Sequence, residues 1–307
     1  MKKLLAALRY FRLKLLVSSI RLIVRLLTPP VRARPDAVLG VPSRGADRTI
    51  RAHIYSPPAV ASEEAVGIPR PVLINFFGSG FALPLFGGDD FFCREIAQRT
   101  GHVVLDVDYR LGPENPFPAA IHDVEDAVRY VLSHPDTYDV TRISVSGFSS
   151  GGTLALVAPT LFPANTFRSA VAFYPSVDMA KDPGERRAPV EGPKTGRSPL
   201  FWTRLFREGY IGDMDPRDPR ISPLYSNNMN LARDTLIITA EYDVSALDAE
   251  EFAKNAREYI QGTSGQVILR RMRDCSHGFD KSKKHVAART ESYDIVVNLL
   301  NQSSADQ

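Results

Sequence analysis

Three polar residues each stand where an apolar run ends: Ser149, Asp243 and His277. Ser149 is the centre of Gly147-Phe148-Ser149-Ser150-Gly151. The β-rich run Ile143-Ser-Val-Ser precedes it, and the small-residue, helix-compatible run Gly152-Thr-Leu-Ala-Leu156 follows. A serine on a sharp strand-to-helix turn presents its hydroxyl at a helix N-terminus, where free N–H groups favour a developing negative charge. Side chains two residues to either side would collide with backbone, and glycine at 147 and 151 removes them. An ordinary turn between a strand and a helix uses the same residue types, so the pentapeptide needs partners.

Asp243 closes Ile237-Ile-Thr-Ala-Glu-Tyr-Asp243, an apolar strand ending in a carboxylate. Parallel sheets hold ligands at strand C-terminal ends. Asp243 is equally placed to cap a following helix, and Asp248 is a second candidate acid. His277, one of six histidines, lies in Cys275-Ser-His-Gly-Phe-Asp280 after the last β-rich run. A lone loop histidine is ordinarily a hydrogen-bonded surface group. The chain order serine, acid, histidine gives these three the roles of nucleophile, orienting acid and base. Earlier, Asn75-Phe-Phe-Gly-Ser-Gly-Phe81 follows a buried apolar run. Its Ser79 and Gly80 N–H groups, with that of Ser150, are expected to form an oxyanion hole.

The elements that must position these loops are legible. Ala37–Pro42 and Thr49–Tyr55 read as a hairpin around Ser43-Arg-Gly-Ala-Asp47. Val72–Asn75, a continuous apolar run, reads as a buried strand, as do Val103–Tyr109, Ala170–Tyr174, Thr235–Ala240 and Val267–Arg271, and Pro57–Pro71 reads as a polar surface loop. Helices are predicted over Phe91–Arg99, Ala119–Leu132 and His285–Leu300 from apolar residues at helical spacing. Strands alternating with helices imply a mostly parallel central sheet with helices on both faces.

Residues 1–36 stand apart as a first segment before a catalytic domain over 37–307. Met1–Leu27 carries seven basic residues and no acid. Arg9, Arg12, Lys14 and Arg21 interrupt every window long enough to span a bilayer. As a helix, Lys3, Lys14, Arg21 and Arg25 share one stripe, with Leu5, Leu13, Leu16, Ile20, Ile23 and Leu27 on the broad opposite face, which Arg9 and Arg12 interrupt. Pro29-Pro30 ends it. Such a helix can pack over the body as a lid, contact an anionic membrane surface through residues 1–27, or serve as a transit peptide.

Composition bounds the rest. The 307 residues are 44% hydrophobic and 24% charged, which suits a globular chain with a sizeable core. A net charge of +3, largely from the basic N-terminus, gives no basic surface for nucleic acid. Cys93 and Cys275, far apart, form no disulfide framework and favour a reducing, cytoplasmic setting.

Longer stretches carry a resemblance. Asp108-Tyr-Arg-Leu-Gly-Pro-Glu-Asn-Pro-Phe-Pro-Ala-Ala120, with Asp123 after it, and Asp218-Pro-Arg-Ile-Ser-Pro-Leu224 resemble motifs of the hormone-sensitive-lipase-like esterases of the α/β-hydrolase family. That group includes arylacetamide deacetylases and many microbial and fungal carboxylesterases. The resemblance runs from about Val41 to Leu300. It implies an α/β-hydrolase fold with a helical cap inserted at about 179–212, and hydrolysis of a hydrophobic ester with no metal or organic cofactor. Two positions depart from the family pattern. Phe77 stands where the family's oxyanion loop has histidine, with Ser79 for its middle glycine. Phe148 stands where its serine turn has an acid, with Ser150 for alanine. Each phenylalanine removes a polar group near the serine, so the oxyanion loop is expected to be held by packing. Phe81, Phe148, Trp202 and Phe206 are the candidate lining of the substrate pocket. Long-chain lipid, aryl ester and a tailoring substrate of secondary metabolism are open. So are acyl transfer or lactone formation by the same triad, and a non-catalytic ligand-binding role on this fold.

Overall fold

Val72-Leu-Ile is apolar on both faces of a strand, so the segment holding it must be covered on both sides. In the computed structural model, which describes residues 2–28, 32–45, 47–58, 67–193 and 199–305 (side chains over 4–302 only), that segment is the centre of an eight-stranded sheet. The strands are β1 (Ala37–Pro42), β2 (Thr49–Tyr55), β3 (Arg70–Phe76), β4 (Val103–Val107), β5 (Tyr138–Phe148), β6 (Ser169–Phe173), β7 (Asp234–Ala240) and β8 (Gln266–Met272). Their spatial order is β1-β2-β4-β3-β5-β6-β7-β8. The hairpin β1–β2 and the pair β2–β4 are antiparallel, and all later pairs are parallel. The chain passes outward from β3 to β4, then returns to place β5 on the other side of β3. Such a reversal opens a crevice at the strand C-terminal ends.

Two helices cover one face of the sheet, α2 (Asp90–Thr100) and α7 (Val286–Ala305). Three cover the other: α3 (Ala119–Leu132), α4 (Ser150–Val157) and α6 (Ala246–Tyr259). β5 begins five residues before the apolar alternation shows it. Tyr138 pairs with Arg70, then the register slips so that Ile143 pairs with Val72. The intervening Asp139, Thr141 and Arg142 bond among themselves, and their polarity conceals the strand start.

Above the C-terminal edge lie α1 (Lys2–Leu27) and α5 (Leu200–Ile211). Leu13, Val17 and Ile20 of α1 pack with Leu205 and Phe206 of α5 and Ala82 of the loop after β3. The sequence places Leu5, Ile23 and Leu27 on this face too, but all three are exposed. The arginines that seemed to interrupt the face have assigned partners instead. Arg9 and Arg12 pair with Glu208 of α5, and Arg9 also with Asp213. Arg21 clasps Glu114 and donates to the Ala82 and Gly112 carbonyls. The Lys3 side chain, the Pro29-Pro30 stop, part of the 57–71 loop and residues 194–198 of the expected cap lie outside the described residues. Among the described residues no helix is long and apolar enough to cross a membrane.

Candidate active site

β5 delivers Ser149 into a turn that only small neighbours permit. A Cβ on Gly147 would strike the Gly151 carbonyl, and one on Gly151 would strike the Phe76 carbonyl at the end of β3. Ser149 itself has φ 52° and ψ −116°, in the region non-glycine residues rarely adopt. Its N–H donates to the Phe173 carbonyl (2.9 Å), and α4 begins at the next residue.

The loops after β7 and β8 bring the other two residues in. His277 Nε2 lies 2.9 Å from Ser149 Oγ, and Nδ1 lies 2.7 Å from Asp243 Oδ2. Asp243 Oδ1 accepts the Ser245 N–H at 3.0 Å, which orders the turn before α6; the N-cap itself is Ser245, so Asp243 does not take the capping position. Asp243 is buried while the His277 side chain remains partly exposed. Burial alone would raise the Asp243 carboxyl, but His277 and the Ser245 bonds hold it below the ordinary carboxylate range. Burial likewise pushes His277 down, and the Asp243 carboxylate overrides it to raise the imidazole above its ordinary value. Asp248 is elsewhere engaged, 3.0 Å from Lys181 Nζ and 3.5 Å from Arg186 Nε.

The oxyanion-loop residues are held by hydroxyls as well as packing. The Ser79 N–H donates to Ser150 Oγ (2.9 Å). Ser79 Oγ lies 2.7 Å from Tyr109 OH and 3.1 Å from Ser150 Oγ. Tyr109 OH donates to the Phe77 carbonyl at 2.7 Å, while the Phe77 ring stacks on Tyr109 at 4.6 Å. Two expectations change. Bonds join packing in fixing this loop, and the Ser79 N–H, expected in the oxyanion hole, donates to Ser150 Oγ. The Gly80 and Ser150 N–H groups bond no other described residue, Ser150 because it opens a helix.

The pocket residues divide. Phe206 roofs the oxyanion loop: a Cβ on Gly80 would lie 3.1 Å from its ring. Trp202 is half-buried in the α1–α5 cluster. Phe81 is 1% exposed and stacks face to face on Tyr210 at 3.6 Å, so it supports the loop from within the core. Phe148 is also a core residue, not a lining one. The period of two along β5 sends it to the α2–α7 face, where it stacks on Phe173 at 4.5 Å and meets Phe92 edge-on.

Lys281 Nζ sits 3.8 Å from the centroid of the Phe148 ring, 2.7 Å from Asp89 Oδ1 and 2.8 Å from Asp280 Oδ2. Asp280 also accepts from Tyr174 OH (2.5 Å) and Tyr293 OH (3.0 Å), and the Tyr174 ring lies 4.7 Å from that of His277. This network ties the segment just after His277 to the sheet. Its members escape notice in the sequence, though Asp280 and Lys281 lie only three and four residues past the histidine. Asp123, by contrast, explains its motif: it accepts from both Arg48 and Arg110, closing the turn after β4.

With this geometry in view, the chain can be compared with known proteins. The α/β-hydrolase fold family matches residues 73–281. The chain is similar to a carboxylic ester hydrolase, LipN, of Mycobacterium tuberculosis, 30% identical over 227 residues, covering 69% of this chain and 58% of LipN. The chain therefore spans less than two thirds of that relative's length. It is also similar to an ethyl acetate hydrolase of Pseudomonas putida, 25% identical over 260 residues, covering 83% of this chain and 79% of the relative. Among solved structures, an esterase of Pyrobaculum calidifontis superposes with a TM-score of 0.77 at 27% identity, covering 95% of this chain and 93% of that one.

Proposed function

The chain belongs to the α/β-hydrolase fold family, and on that premise we propose that it is a serine esterase that cleaves a hydrophobic carboxylic ester through an acyl-enzyme. The observation that carries this is the continuous contact Ser149 Oγ–His277 Nε2 (2.9 Å) and His277 Nδ1–Asp243 Oδ2 (2.7 Å) on a strained turn. His277, oriented by Asp243, takes the Ser149 proton as Oγ attacks the ester carbonyl. The Gly80 and Ser150 N–H groups meet the oxyanion, each good donor supplying about 3 kcal/mol. His277 returns the proton to the leaving alcohol. A water then gives a proton to His277 as its oxygen attacks the acyl carbon, and His277 passes that proton to Ser149 Oγ as the acyl–Oγ bond breaks, releasing the acid and free Ser149.

The substrate side follows from what roofs the site. Phe206 over Gly80, with Trp202 in the same cluster, gives an apolar ceiling on α5, which suits an apolar acyl or aryl group. The motifs Asp108–Ala120 and Asp218–Leu224 resemble those of the hormone-sensitive-lipase-like members and support this reading. Relatives named as a carboxylic ester hydrolase and an ethyl acetate hydrolase support ester cleavage.

The test is turnover of p-nitrophenyl esters of graded acyl length by the full chain, with both products identified. Release of free acid and alcohol, rising from acetate toward longer acyl groups, is expected. No release from any ester by the folded chain, or acyl product formed only on an added alcohol or amine, would overturn hydrolysis.

A further inference from the structure

Helix α1 is apolar on its outer side as well as its inner one. Opposite Leu13, Val17 and Ile20, which face α5, the residues Leu4, Leu8, Phe11, Leu15, Leu22 and Leu26 recur at helical spacing. Each of the six is between 57% and 75% exposed. Single exposed apolar residues are ordinary, but a stripe along 26 residues, roughly 39 Å of helix, marks a surface that meets something.

The charges choose the occupant. The first acid in the chain is Asp36. Arg9, Arg12 and Arg21 are spent on Glu208, Asp213 and Glu114 of the body. Lys14 and Arg25 are exposed, project along one flank of the apolar stripe, and pair with no acid among the described residues. A second copy docked two-fold on this stripe would set a helix without an acid against itself. An anionic lipid surface satisfies both features, with acyl chains for the leucines and phosphate for the flanking cations.

We propose that α1 lies in the plane of an anionic bilayer surface, inserting its Leu4–Leu26 stripe and setting Lys14 and Arg25 toward lipid phosphate. The inner face of α1 then holds α5, and α5 carries Phe206 over Gly80. The helix is at once part of the cap and the membrane-facing surface. This docking is independent of whether Ser149 is a nucleophile.

Flotation of the full chain with phosphatidylcholine–phosphatidylserine vesicles tests it, against vesicles of phosphatidylcholine alone. Binding is expected on the anionic vesicles and to fall about tenfold or more without phosphatidylserine or in Lys14→Glu/Arg25→Glu. Leu8→Glu/Leu15→Glu/Leu22→Glu should abolish it while the melting temperature and turnover of a water-soluble ester stay as in wild type. No flotation of the wild type, equal flotation on neutral vesicles, or flotation undiminished in either variant overturns the proposal. So does a concentration-dependent dimer that the leucine variant dissolves with no vesicle binding in the wild type.

Discussion

Replacing Ser149 with alanine is expected to lower ester turnover by about 10⁵- to 10⁶-fold, the loss typical of removing a serine nucleophile from its triad. The fold should survive. Among the described residues the side chain removed bonds only His277 Nε2 (2.9 Å), and the turn is held by backbone: the Ser149 N–H on the Phe173 carbonyl, and the close approach of Gly147 and Gly151 to their neighbours. Alanine, like serine, must sit at φ 52°, so the strain of that position is unchanged. Initial rates beside a thermal melt decide the matter. Turnover within tenfold of wild type at an unchanged melting temperature would exclude Ser149 as the nucleophile.

The second large effect comes from Asp243→Asn, and it carries a pH signature. The base acts as neutral imidazole, so kcat/KM rises as His277 loses its proton. Burial pushes that proton off, yet the Asp243 carboxylate more than compensates, so the acidic limb of wild type lies above the roughly 6.5 of a free imidazole. Asparagine keeps the burial and removes the charge, so the limb moves to lower pH. It also offers Nδ1 no carboxylate to fix the tautomer, and kcat should fall by about 10⁴-fold. A pH–rate profile of both proteins measures shift and loss together. A limb that stays in place would mean that Asp243 does not set the charge on His277, and Asp248, held by Lys181 and Arg186, offers no substitute.

Much of this framework is legible in the sequence because its signals are local. Parallel strands buried on both faces read as apolar runs, and β3, β6 and β7 fall within a residue or two of those runs; β8 does too, but as the edge strand it buries only Val267 and Met272. Gly147 and Gly151 announce a steric requirement that five residues suffice to express. Ser149, Asp243 and His277 follow β5, β7 and β8 in chain order, each past the C-terminal end of its strand. The rest depends on which distant groups meet. Phe148 adjoins the serine in sequence, yet alternation along β5 turns it to the opposite side of the sheet, under Lys281. Phe81 follows the oxyanion loop but is claimed by Tyr210 from α5. The hydroxyl cluster of Ser79, Tyr109 and Ser150 draws one residue from each of three segments, and no spacing rule joins them. The substitutions of serine for glycine at 79 and for alanine at 150 look independent in sequence. In the structure they form one bonded pair, 3.1 Å apart between hydroxyls. α1 is a similar case. Its periodicity marks an amphipathic helix, but the body chooses which apolar side it covers, and it takes the side of Leu13, Val17 and Ile20.

These two hydroxyls also bear on the oxyanion site. With the Ser79 N–H given to Ser150 Oγ, the proposed oxyanion hole draws on the Gly80 and Ser150 N–H groups. Two donors suffice for acyl transfer.

The measurement that reaches the centre of the mechanism is reaction of the purified chain with a fluorophosphonate, followed by intact mass and peptide mapping, for wild type beside Ser149→Ala and His277→Ala. One adduct, on Ser149, absent from the alanine variant and slowed at least a hundredfold without His277, is the predicted result. A folded wild type that forms no adduct, or one that labels equally fast without His277, would contradict an activated serine at this turn.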